Sequence, residues 1–202
     1  MKIIELILDE ENEDNGISAI SLVENPAIEE NWVALKSDEV KLAEIDKEKR
    51  LLLGAALTPN RPIYRKSQDG SDDYYIFFSK DTVRKASELF FKKGNQNNAT
   101  LEHNVDLEGL TVVESWIVEN SKTDKSALYG MDLPVGTWAV SMKVNSDEVW
   151  NEYVRKGKVR GFSIEAFFTD STIERPKDKT IKEEAQASAL VKQISKLLKN
   201  EA

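Results

Sequence analysis

The chain is 202 residues long, with one histidine, no cysteine and a formal net charge of -8. The lack of cysteine excludes disulfides and thiolate metal ligands, and a lone histidine argues against zinc, so no cofactor is expected. A pI near 4.9 argues against a nucleic-acid partner, which requires a basic face.

The charge is concentrated at one end. Residues 1–50 hold 14 acidic and 6 basic side chains, which supplies the whole excess. The opening MKIIELILDEENED is too short in its apolar part and too acidic for a secretory signal. No apolar run approaches the roughly 20 residues that span a bilayer, so a cytosolic chain with no membrane partner is expected. KIIELIL at 2–8 predicts a short strand. An acidic linker follows, then ISAISLVENPAIEENWVAL, in which Pro26 breaks any continuous element. Residues 36–50 are mostly charge and read as an exposed helix or flexible connector. Residues 1–50 therefore read as an acidic N-terminal segment, and the compact domain is expected to run from 51 to 170.

That domain opens with LLLGAALTPNRPIYR, an apolar strand running into Pro59 and Pro62. DDYYIFFS predicts a second strand. Ser79 is placed to cap a helix through KDTVRKASELFFKKG, with Val83, Ala86 and Phe90 on one face and Gly94 as its stop. ATLEHNV and LTVVESWIVE flank a polar connection at Asp106–Gly109 and read as a β-hairpin. A polar loop spans 120–133. VGTWAVSMKV alternates as a strand. Ser146 caps another helix, with Asp147 and Glu148 in its first turn, where the helix dipole favours acids. Its apolar face is Val149, Trp150, Tyr153 and Val154, and Gly157 ends it. VRGFSIEAFF is the last strong strand. Residues 171–202 read as a polar linker and an amphipathic C-terminal helix, with Ala187, Leu190, Val191, Ile194, Leu197 and Leu198 at helical spacing. The fold class expected is α+β, mainly antiparallel β with two or three helices packed on it.

Two residues stand out chemically. His103 is the single histidine, and Ser163 lies inside the apolar run VRGFSIEAFF sixty residues later. A hydroxyl beside an imidazole is the smallest set that performs nucleophilic acyl transfer. Strand alternation puts Ser163 and Glu165 on one face and Phe162 and Ile164 on the other. Gly161 leaves backbone space beside the serine. If Val105 pairs with Leu110 across the expected hairpin, His103 lies opposite Val112, with Glu114 as its diagonal neighbour. Glu114 would then orient the imidazole. The same residues also suit a strand serine with an internally bonded hydroxyl and an exposed hairpin histidine. The serine does not sit in a G-x-S-x-G elbow, which weakens an esterase reading.

GAALTPNRPIYR, FFSKDTVRKASELFFKKGNQNNATLEHN, TVVESWIVE, PVGTWAVSMKV and VRGFSIEAFF, in that order, closely resemble the XkdF-like phage prohead proteases, over about residues 1–170. The resemblance implies a capsid-maturation serine endopeptidase with the fold of herpesvirus assemblin, a mainly antiparallel β-barrel with surrounding helices. It implies Ser163 as nucleophile and His103 as general base. Assemblin completes its site with a second histidine, which this chain lacks, so an acid takes that place or a dyad suffices. Glu114 is the first choice from the hairpin geometry and Glu165 the alternative. The family often has glycine after Ser-Ile-Glu, where Ala166 stands here. The resemblance further implies scaffold protein and major capsid protein as substrates, cleavage of the chain itself, self-association, and a location in the host cytoplasm inside the immature capsid. The acidic N-terminal segment would occlude the site or be removed by self-cleavage, and the C-terminal helix would dock on scaffold or another copy. A catalytically inactive, scaffold-associated capsid assembly protein is the alternative.

Overall fold

A computed structural model describes residues 2–9, 15–26, 33–35, 49–65 and 74–170. The elements in chain order are β1 (Lys2–Ile7), β2 (Gly16–Val23), β3 (Val33–Leu35), β4 (Leu51–Leu57), β5 (Ile63–Arg65), β6 (Tyr74–Phe78), α1 (Lys80–Lys92), β7 (Ala99–Leu101), β8 (Val105–Leu107), β9 (Leu110–Ile117), α2 (Lys125–Leu128), β10 (Trp138–Val144), α3 (Asp147–Val149, continued by a π turn over Trp150–Val154), β11 (Gly161–Phe167) and β12 (Thr169–Asp170). The class is α+β, as expected. The strands form three four-stranded sheets, in the orders β12-β1-β6-β5, β3-β4-β10-β9 and β11-β2-β7-β8. Among the described residues no sheet closes into a barrel.

β1 and β2, which lie in the segment expected to precede the compact domain, pair with strands of that domain. β1 is parallel to β6, and β2 is the inner strand between β11 and β7. The local cause is the apolar side of β2: Ile17, Ile20 and Leu22 are fully buried despite acidic flanks. A bulge at Ser18 keeps all three on that side, because the register steps from Glu165↔Ala19 to Ala166↔Ile17. Gly16 begins the strand at φ 118°, and a Cβ there would lie 2.9 Å from Leu89 of α1. The positive φ is the main demand for glycine here, since the contact is with the end of the Leu89 side chain and not with the helix backbone. Residues 36–48 of the expected connector at 36–50, and the C-terminal helix, lie outside the described residues.

α1 forms where its pattern puts it. Ser79 caps it by accepting the Thr82 N–H at 3.3 Å, and Val83, Ala86 and Phe90 are fully buried. Phe90 meets Trp138 of β10 edge-to-face at 5.3 Å between centroids. The Trp138 indole N–H is satisfied by the Ser115 hydroxyl at 2.8 Å. These contacts tie α1 to the second sheet, while Leu22 and Phe162 carry the third sheet into the same core.

A smaller core on the other side of the second sheet gathers Leu53, Val118, Met131 and Leu133. The 120–133 segment that covers it is not wholly a loop, since it contains α2. Asp124 caps α2 through the Ser126 N–H at 2.8 Å and accepts the Trp116 indole N–H at 3.0 Å. Burial pushes this carboxyl up, but the Ser126 amide and hydroxyl and the Trp116 indole outweigh it and hold it below the usual aspartate value. A depressed folded pKa stabilises the protein above the unfolded value and is lost as pH falls through the folded one. Asp124→Asn keeps the cap but removes the charge. Its stability deficit in urea melts is expected to be full above about pH 4 and to vanish as the pH is lowered further.

Candidate active site

The site is built on the third sheet. β11 pairs antiparallel with β2, setting Phe162 against Leu22 and Ile164 against Ile20 on the core side. Alternation therefore turns Ser163 and Glu165 to the opposite face. Ser163 is in register with Ser21, Ser21 with Thr100, and Thr100 with Asp106. Three hydroxyl side chains thus stand in one row across adjacent strands, each about 4.8 Å from the next.

His103 sits in the turn joining β7 to β8. Glu102 and His103 are both left-handed, at φ 50° and 59°, and the Asn104 N–H closes the turn on the Leu101 carbonyl at 3.0 Å. Two successive positive φ values are the signature of a type I′ hairpin turn. Histidine tolerates this region better than most residues, whereas Glu102 carries a steric penalty on the order of 1 kcal/mol. The end of β2 holds the strained turn in place. The Glu102 N–H donates to the Leu22 carbonyl at 3.0 Å. The Glu102 carboxylate accepts the Glu24 N–H at 2.6 Å. The His103 N–H donates to the Ser21 hydroxyl at 3.0 Å.

This placement brings the imidazole to Glu165. His103 Nδ1 lies 3.5 Å from Glu165 Oε1, with the side chains 41% and 29% exposed. That is contact distance for an ion pair and longer than a formed hydrogen bond. Catalytic bonds of this kind tighten when substrate closes the site. The Thr100 hydroxyl donates a hydrogen bond to the same Oε1. Glu165 reaches Thr100 across β2 because its register partner there is the small Ala19. The Ser18 hydroxyl anchors the strand beneath it by donating to the Glu165 carbonyl at 3.1 Å.

Of the four residues singled out by sequence, Ser163, His103 and Glu165 come to one face and Glu114 does not. The expected hairpin at Asp106–Gly109 is replaced by one turning at Glu102–Asn104, with Leu101 opposite Val105. β9 leaves for the second sheet and pairs with β10, so Glu114 lies opposite Ser141. There it forms a salt bridge with Lys125. That ammonium holds the Glu114 carboxyl below the usual glutamate range. Ser21 and Thr100 were not singled out from sequence. The available signals were the short polar side chains alternating with apolar ones in ISAISLV and a threonine three residues before the lone histidine.

A cleft of about 320 Å³ opens beside the His103 turn, lined by Glu24, Leu101, Glu102, Tyr153, Lys158 and Val159. Leu101 is in register with Leu22 and shares its face, so this cleft is not the floor on which Ser163 and Glu165 stand.

A strand serine, an imidazole at the neighbouring strand end and a carboxylate against Nδ1 make up the parts list of a serine hydrolase. The comparisons narrow the class: the chain belongs to the phage serine protease XkdF family, whose model matches residues 39–174. It is a serine protease. The matched window includes Ser163, His103 and Glu165 but begins after β2. No curated protein and no solved structure matches the chain.

Proposed function

We propose that Ser163, His103 and Glu165 are the catalytic triad of a prohead-maturation endopeptidase. The carrying observation is the Glu165 carboxylate against His103 Nδ1, two residues from Ser163 on one strand face. In this reading the other imidazole nitrogen, Nε2, takes the Ser163 hydroxyl proton as Oγ attacks the peptide carbonyl carbon. The tetrahedral intermediate collapses, the C–N bond breaks, and the imidazolium returns the proton to the leaving amine. Water, deprotonated by the same nitrogen, then attacks the acyl-serine ester; the C–O bond breaks, the imidazolium returns the proton to Ser163 Oγ, and the acid product leaves. Glu165 accepts the hydrogen bond from Nδ1–H, fixing the tautomer and stabilising the imidazolium.

The proposed substrates are scaffold protein, major capsid protein and the chain itself, cut inside the immature capsid in the host cytoplasm. The proposal includes self-association and an assemblin-type barrel, for which β11 of the third sheet lying alongside β4 of the second is the supporting contact. The test is co-expression of the full chain, or its Ser163→Ala variant, with the scaffold and major capsid proteins of the same phage, with fragments identified by mass spectrometry. Discrete capsid and scaffold fragments seen only with the unaltered chain are expected. Identical patterns from both would leave the alternative, an inactive capsid assembly protein.

A further inference from the structure

We propose that Thr100 is a positioning residue for the reaction, holding Glu165 on the histidine, and that Ser21 fixes the backbone of that histidine from the neighbouring strand. This rests on the triad reading above. Thr100 is buried, 6% exposed, and as a β-branched residue has a stiff χ1. Its hydroxyl donates to Glu165 Oε1, the oxygen that faces Nδ1. An ionised carboxylate oxygen has lone pairs for both partners. Glu165 is a long side chain crossing a neighbouring strand, and this bond selects the rotamer that meets the imidazole.

Ser21 performs the matching task for the main chain. It is fully buried, and its hydroxyl accepts the His103 N–H at 3.0 Å while donating to the Thr100 carbonyl at 3.4 Å. A hydroxyl placed only to satisfy its own strand would leave the amide of the left-handed His103 without this acceptor. The two hydroxyls therefore set the carboxylate and the imidazole relative to Ser163, in whose transverse row both stand.

The test uses the full chain and a fluorophosphonate, with kinact and KI read from saturation kinetics. Thr100→Val is expected to lower kinact about 10- to 100-fold with KI within about twofold, as for loss of an interaction made in the transition state. Thr100→Ser, which restores the hydroxyl, is expected within about threefold of the unaltered chain. Thr100→Val combined with Glu165→Gln is expected to be no slower than Glu165→Gln alone, since both act through one contact. Ser21→Ala is expected to lower kinact in the same range. Thr100→Ala reads the same outcome if valine is not accommodated. A Thr100→Val rate within twofold of the unaltered chain, an equal loss in Thr100→Ser, or a fully additive double variant overturns the proposal. If Glu165→Gln labels at the normal rate, the triad reading itself fails. A slow Glu165→Gln beside a normal Thr100→Val removes only the role of Thr100.

Discussion

Ser163→Ala is expected to abolish covalent labelling by a fluorophosphonate, and in the unaltered chain mass spectrometry is expected to place the adduct on the peptide containing Ser163. The variant is expected to cleave peptide substrate at least about ten-thousand-fold more slowly, because in the proposed triad nucleophile and base act as a unit and loss of either removes most of the rate enhancement. The matching experiment on the base is His103→Asn. Asparagine adopts the left-handed region readily, so it preserves the φ 59° turn, and it has no nitrogen that titrates near neutrality. Labelling of His103→Asn at the normal rate would remove His103 from the mechanism. Labelling at a serine other than Ser163 would remove β11 from it.

Glu165→Gln and Glu114→Gln are expected to separate cleanly. The first keeps the shape of the residue facing Nδ1 but loses the charge that stabilises the imidazolium, and kcat falls about 10²- to 10⁴-fold. The lower part of that range is the better guide, because Glu165 is partly exposed and solvent screens its field. The second breaks a surface pair between Glu114 of the second sheet and Lys125 of α2. It costs at most about 1 kcal/mol of stability and leaves kcat unchanged. A large kcat loss in Glu114→Gln with a normal Glu165→Gln would reverse the assignment.

The two acids show where sequence sufficed and where it stopped. β4, β10 and β11 were legible because each is a dense apolar run, and α1 because its cap, its apolar face and its stop agree. Ser163 and Glu165 were legible as face-mates from alternation alone. The hairpin was misplaced because the residues at the real turn, Glu102 and His103, do not belong to the usual left-handed set of glycine and asparagine. Gly109 supplied the misleading signal. It does take φ 75°, but for a close approach: a Cβ there would sit 3.3 Å from the Ser146 backbone nitrogen, where the chain crosses to another sheet. β2 was missed because its burial is a tertiary property. Its acidic flanks dominate the local composition, and only the partner strands show that it is an inner strand.

The position of β2 has a consequence for when the protein becomes active. Ser163, the proposed nucleophile, lies on the strand that pairs with β2 late in the chain, and the Ser18–Glu165 bond closes a loop of 147 residues. During synthesis residues 16–23 emerge first, and their antiparallel neighbour follows only after nearly all of the described core. A pairing so distant in sequence carries a large loop-closure cost and cannot form before β11 is made. In the proposed triad, the last of these strands to be translated completes the sheet and delivers the attacking oxygen together. On that reading a ribosome-bound chain still lacking β11 lacks its nucleophile and is expected to be silent as a protease.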